Sequence, residues 1–275
     1  MAVEMLSYIE RKSPIHQLTG ATKLLCFIIW TFAAMLTYDT RVLLFLFGWS
    51  HIIFKLSRTK IKEVSFVLVF ILIFMLFNNI AIYLFSPQQG VEIYGTEHIL
   101  LGSGHFALTA EQLFYLLNIS LKYFVVIPVA LLFIVTTHPS EFASSLNRIG
   151  ISYRISYAVA LALRYIPDIQ REYRTISLSQ QARGIDMSKK AKLSKRIKNA
   201  ASIITPLIFS SLDRIEVVSN AMDLRGFGKH KKRTWYSAKP FQTCDYAAIC
   251  LFVIILIGSL FITFYDGSRF YNPFI

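Results

Sequence analysis

The sequence predicts an all-α, polytopic membrane protein with about five transmembrane helices and a basic helical domain between the fourth and fifth. Three observations predict this. Of 275 residues, 55% are hydrophobic, with 23 Phe and 14 Tyr, too apolar for a water-soluble domain. The apolar residues fall in long blocks at 22–36, 42–56, 64–85, 113–136 and 244–264, near the ~20 residues that cross ~30 Å of hydrocarbon. Charge is segregated: residues 137–243 hold 19 of the 29 Lys and Arg against seven Asp and Glu, a surplus of 12 out of the net +13.

Taken in order, residues 13–25 form a polar, turn-rich approach to the first span, with His16 expected as a headgroup-level anchor. The first two spans are short and need interfacial flanks or a protein-covered rim. Asp39-Thr40-Arg41 makes a tight external turn between them. Asn78 and Asn79 lie deep in the third span, where an amide is expected to bond a neighbouring helix. Residues 86–111 hold no Lys or Arg and carry Gly90, Gly95, Gly102 and Gly104, which predicts a turn or hairpin cap. His98 and His105 lack a third ligand at metal spacing, so no metal site is expected. Lys122, in the outer half of the fourth span, is expected to snorkel or pair.

Orientation follows from the basic residues. Arg11, Lys12 and Lys23 precede or open the first span, and Lys55, Arg58, Lys60 and Lys62 follow the second. Five spans with a cytoplasmic N-terminus put every basic segment inside, and place residues 86–111 and the C-terminus outside. The first apolar run has no Ala-x-Ala cleavage site and leads straight into a second span, so no removable signal is expected. Cys26, Cys244 and Cys250 show no paired spacing and read as packing residues.

Three regions are predicted: a membrane domain at 1–136, a cytoplasmic domain at 137–243 and a final span in 244–275. Within the second, Ser140, Glu141 and Gly150 suit the cap, first turn and stop of a short helix. Ser152 opens a longer helical run to Arg183. Its stretch 155–166 is almost wholly apolar, yet twelve residues reach only about 18 Å, too little to span. After the basic run Lys189, Lys190, Lys192, Lys195, Arg196 and Lys198, a second short apolar stretch, 200–212, lies in a helix running to Arg225. The two blocks form a weak repeat. Each has an apolar run, a proline (Pro167, Pro206) expected to kink the helix, a polar continuation and a closing Arg-Gly.

Those closures are Gln181-Ala182-Arg183-Gly184 and Ala221-Met222-Asp223-Leu224-Arg225-Gly226. Glycine there accepts the left-handed conformation that ends a helix, and arginine suits the negative end of the helix dipole. Ordinary capping accounts for either one singly. A matching pair in the one large basic segment points further, to paired guanidinium donors. Nucleic acid is one possible target, but positive charge beside membrane spans is expected anyway and no recognition fold follows. Anionic lipid headgroups suit residues 189–198 and 229–233. The favoured reading is a protein with an acidic groove, for which a bidentate donor is an orienting anchor. Two matching anchors imply two matching or pseudo-symmetric subunits. The chain has no phosphate-binding Gly-x-x-x-x-Gly-Lys-Ser/Thr loop, no His-Glu-x-x-His helix and no nucleophile elbow. It is therefore expected to be non-catalytic and to bind no cofactor itself.

Thr137-His138-Pro139-Ser140-Glu141-Phe142, Leu163-Arg164-Tyr165-Ile166-Pro167, Gln181-Ala182-Arg183-Gly184 and Ala221-Met222-Asp223-Leu224-Arg225-Gly226-Phe227 occur here as an ordered set. With it the chain resembles the transmembrane T component of energy-coupling factor transporters, the CbiQ/EcfT type. Near the N-terminus Thr19, Gly20 and Ala21 stand where that family often shows Asp-Pro-Arg, and Asp223-Leu224 where it often shows Glu-Ala. The resemblance implies a multi-pass subunit of the bacterial cell membrane and no nucleic-acid partner. It makes residues 137–243 a cytoplasmic coupling-helix domain joining two ABC ATPases, which bind the ATP, to a small membrane subunit that binds a vitamin or transition-metal ion. Ala182, Arg183, Gly184, Leu224, Arg225 and Gly226 then dock the ATPases. Ile155, Val159, Leu163, Ile166, Ile203 and Leu207 then face the substrate-binding subunit. The alternative is a membrane-embedded enzyme or lipid-binding protein that uses the basic domain to hold anionic headgroups.

Overall fold

The computed structural model describes residues 11, 13–102, 104, 106–185, 193–230, 234–236, 238–265 and 267–274. Lys12, His105, Lys189, Lys190, Lys192 and the basic residues 231–233 lie outside the described residues, as do the side chains of Lys62, Lys195 and Arg196. The chain forms two compact units, Met1–Ser145 with Lys239–Ile275, and Leu146–Ala238.

The first unit opens with α1 (Pro14–Gln17) and α2 (Gly20–Leu36), the latter capped by the Thr19 hydroxyl. Asp39 caps α3 (Thr40–Leu56) by accepting from Arg41 N at 2.9 Å, which makes the expected tight turn. Then follow α4 (Ile61–Phe85), α5 (Gln89–Tyr94), a hairpin of β1 (Ile99–Leu101) and β2 (Leu108–Thr109), α6 (Ala110–Thr136) and α7 (Pro139–Arg148). The chain returns to this unit for α10 (Thr243–Tyr265), after α8 (Tyr153–Ala182) and α9 (Leu193–Leu224).

Among the described residues, three helices are long and apolar enough to cross a membrane: Val64–Phe85, Ala110–Thr136 and Thr243–Tyr265. Gly20–Leu36 is a shorter apolar helix of 17 residues, the same length as α3. The core forms where α2, α3 and α6 meet. Trp30, Ala33, Ala34, Val42, Leu46, Val125 and Val129 are buried together, and Phe252, Ile255 and Leu256 of α10 pack against them. Ala33 and Ala34 are small, and small residues let membrane helices approach closely. α4 is apolar all round and largely exposed, with Phe66, Phe70, Phe74 and Phe77 all more than half accessible. That is the pattern of a helix solvated by lipid.

Polar groups inside this unit bond across helices. Asn79 Nδ2 donates to Ser120 Oγ (2.8 Å), Trp30 Nε1 to Val125 O (3.0 Å) and Thr40 Oγ1 to Asn118 Oδ1 (2.7 Å). Lys122 Nζ donates to Met35 O at 3.1 Å and lies over the Tyr38 ring. Asn79 and Lys122 thus take the structural roles their sequence positions suggested.

Residues 86–111 form the expected cap. Gly90 N donates to Gln112 Oε1 at 2.8 Å, and Gln112 Nε2 to Ser86 O at 3.2 Å, which ties α5 to the first turn of α6. Buried Glu111 accepts from His98 N at 3.1 Å and pairs with His98 Nδ1 at 2.6 Å. Burial raises the Tyr94 phenol above its ordinary pKa. The C-terminal residues close over this cap: Asn272 Nδ2 donates to Tyr94 O (2.9 Å), and Phe274 packs on His98, Tyr94 and Phe114.

One cap differs from its expectation. α7 begins at Pro139, and the residue that accepts from Ser140 N is His138, through Nδ1 at 3.2 Å. Proline at the first helical position has a preset φ and no N–H to satisfy, which moves the helix start one residue upstream of Ser140.

Candidate partner-docking site

Both Arg-Gly sequences fold the same way. Arg183 follows the last residue of α8, and Gly184 has φ +85°. Gly184 N donates to Gln181 O (2.9 Å) and Ile185 N to Gln180 O (3.1 Å). At the end of α9, Gly226 has φ +64°, Gly226 N donates to Asp223 O (2.9 Å) and Phe227 N to Met222 O (2.9 Å). Each pair of bonds is the two-bond closure of a Schellman motif, which satisfies carbonyls the helix would leave open. Ala182, Arg183, Gly184, Leu224 and Arg225 are exposed, Leu224 at 90%. The backbone therefore fixes two arginines at equivalent positions of two equivalent turns.

The two helices of this unit run antiparallel. Gln180 Nε2 donates to Ser202 O at 3.2 Å. Glu172 accepts from Ser210 Oγ and from Arg214 Nη2, the latter at 2.8 Å, and Arg214 lies over the Tyr165 ring. Gly228 N donates to Tyr153 Oη at 2.9 Å, and Arg154 Nη2 to Gly228 O at 3.1 Å. As α8 advances, its partners in α9 recede, so Arg183 and Arg225 stand at opposite ends of the pair. At 1.5 Å rise per residue that separation is on the order of 40 Å.

Pro206 contributes to this register. Pro167 and Pro206 both lie inside continuous helices. Proline has no N–H, so Pro206 leaves the carbonyl four residues back, that of Ser202, without its helical donor. Gln180 of α8 supplies that donor. At the other end, Phe227 packs against the Tyr153 and Tyr157 rings, at 5.3 and 5.0 Å between centroids. Replacing Tyr153 with Phe removes the acceptor for Gly228 N, a loss of about 1 kcal/mol. Amide exchange at Gly226–Gly228 is then expected to quicken about fivefold, while Gly184 is unaffected.

The residues predicted to meet a membrane partner divide by environment. Ile155 (57%) and Ile166 (49%) are exposed, Val159, Leu163 and Leu207 are half-buried, and Ile203 is buried. Around Ile203, the exposed large apolar side chains of α9 include Ile204, Ile208, Phe209 and Leu212. Sequence reasoning also missed a groove of about 390 Å³ toward the Arg225 end, lined by Ala158, Leu161, Ala162, Ile215, Val218 and Met222 among others. The small residues Ala158 and Ala162, one turn apart, are the available signal for it.

These features define a multi-pass helical membrane protein with a separate helix-pair unit whose two ends match. Residues 11–236 match the CbiQ family, described as cobalt transport protein, and the chain belongs to that family. Its relatives carry the description energy-coupling factor transporter transmembrane protein EcfT. The one from Staphylococcus aureus is 25% identical over 94% of this chain and 96% of its own length. That from Exiguobacterium sibiricum is 26% identical over 90% and 92%, and that from Leuconostoc gelidum 26% over 90% and 93%. The resemblance read from the motifs thus extends over most of the chain.

Proposed function

We propose that this chain is the coupling subunit of an energy-coupling factor importer, non-catalytic itself and driven by two cytoplasmic ABC ATPases. The observation that carries the reading is the pair of matching Arg-Gly closures at opposite ends of one antiparallel helix pair. Two equivalent ends suit two equivalent or pseudo-symmetric partners, and a planar guanidinium at each suits a carboxylate-lined groove. Arg183 with Ala182 and Gly184 docks one ATPase, and Arg225 with Leu224 and Gly226 docks the other. The ATPases bind the ATP, and this chain holds no cofactor.

The coupling domain is 137–243, between a four-span domain at 1–136 and a last span in 244–275. Counting α2 and α3, each about 25 Å long, gives five spans in a bacterial cell membrane, with the N-terminus and coupling domain inside and the C-terminus outside. The apolar stretches around Ile155, Val159, Leu163, Ile166 and Leu207 face the small membrane subunit that binds the vitamin or transition-metal ion. Ile203 supports that face from beneath, and Pro167 and Pro206 supply bends at its edge. ATP-driven closure of the ATPases moves the two ends and, through them, this face.

Purification from mild detergent tests the assignment. Two ATPase polypeptides and one small hydrophobic protein are expected to accompany the chain, identified by mass spectrometry. A chain that purifies alone and acts on lipid by itself refutes the proposal in favour of a membrane enzyme.

A further inference from the structure

The polypeptide passes out of the membrane unit after Ser145 and returns at Lys239. We infer that the first turn of α2, Thr19–Lys23, is the fulcrum through which movement of Leu146–Ala238 reaches the membrane helices. Gly20, Lys23, Glu141, Lys239 and Asp245 are its positioning residues. The inference rests on the coupling function proposed above.

On the outgoing side, Lys23 Nζ donates to Thr136 O, the last residue of α6, at 2.7 Å. α7 then crosses Gly20 so closely that a Cβ there would meet Ser145 Oγ at 2.8 Å and Glu141 Cβ at 3.1 Å. On the returning side, Lys239 pairs with Glu141. Asp245, 1% exposed, accepts from Thr19 N at 2.9 Å and Gln242 N at 2.8 Å. One buried turn therefore holds α6, α7 and α10 of the membrane unit together. Within the second unit, the same two passages are tied once more, by Trp235 Nε1 donating to Asn147 Oδ1 at 3.1 Å.

Lys23 and Asp245 are buried charges, and buried charges are a poor source of stability compared with apolar packing. What they provide is position, since each fixes one passage of the chain to the same turn. A load on residues 146–238 reaches the membrane unit through this turn and is shared between α2, α6 and α10.

The test uses the complete complex in proteoliposomes, with substrate uptake and ATP hydrolysis measured on the same vesicles. Variants are Gly20→Val, Asp245→Asn, E141K, K239E and the E141K/K239E exchange. Lys239 is 59% exposed, so its replacement leaves the fold in place. Arg183 and Arg225 are untouched in every variant, so ATPase co-purification is expected to match the unaltered chain. Substrate moved per ATP is expected to fall about fivefold in each single variant, the scale of coupling carried by residues between sites. The paired exchange is expected to restore most of it. Unchanged transport per ATP in Gly20→Val and Asp245→Asn overturns the inference, as does an exchange no better than K239E alone. A wild-type chain that fails to retain the ATPases refutes the coupling function itself.

Discussion

Substrate uptake is expected to fall to background when Arg183 and Arg225 are both replaced by alanine. Each arginine sits at the closure of a helix whose last carbonyls are already satisfied by Gly184 and Ile185 or by Gly226 and Phe227. Under the proposed coupling function, removing the side chain takes away a docking group, while the bonds that close the turn remain. An interface arginine of this kind carries about 2 kcal/mol, or about a 30-fold loss of affinity when truncated. The two ends are on the order of 40 Å apart along the pair, far beyond the range at which substitutions interact, so their losses add. The double variant then loses about a thousandfold in binding. Titrating purified ATPases against the chain in nanodiscs reads each step, and uptake in vesicles reads the sum. Lysine at either position keeps the charge but loses the bidentate fork, so R183K and R225K are expected to resemble the alanine variants. Double-alanine protein that takes up substrate at the normal rate would falsify the docking role.

The largest loss of stability is expected from Gly90→Ala. A Cβ at this position would lie 2.5 Å from Gln112 N and from Glu111 C and O, all backbone atoms at the start of α6. Backbone cannot rotate aside as a side chain does, so α5 must lift from α6. Lifting breaks the bond from Gly90 N to Gln112 and strips cover from Tyr94, which is 3% exposed. Overpacking of this kind with a lost hydrogen bond costs about 3 kcal/mol. For a chain of this size that lowers the melting temperature by roughly 10 °C, read by thermal unfolding in detergent. Gly95→Ala is the control. Its φ of +72° strains the turn, but no atom lies within 4 Å of the new Cβ, so only the cost of a left-handed residue, about 1 kcal/mol, is expected.

Local features of this chain were legible because their causes are local. Asp39 before Thr40-Arg41, the glycine-rich stretch before α6, and glycine after Arg183 and Arg225 each act through bonds a few residues long. The register of the α8–α9 pair was not legible. Gln180 meets Ser202, and Glu172 meets Ser210 and Arg214, pairings that no local pattern encodes. Nor does pattern reveal why Gly90 must be glycine, since the obstacle is the backbone of α6. Ile203 shows a different limit. In the run 200–212 the polar Ser202, Thr205, Ser210 and Ser211 fall on several sides of the helix, so helical periodicity has no clear phase. Nothing in the sequence separates the inward Ile203 from the outward Ile204.

The placement of α10 bears on how the chain is made. Its partners on α2, Ala33 and Ala34 in the core and Thr37, whose hydroxyl meets that of Thr263 at 2.6 Å, are synthesised well before it. α10 itself follows only after the whole of residues 146–238. The membrane unit therefore waits with one face of α2 uncovered while the ribosome completes another unit. A chain halted before Thr243 presents that uncovered face to the bilayer. α10 then covers that face of α2, and Asn272 and Phe274 beyond it cover Tyr94.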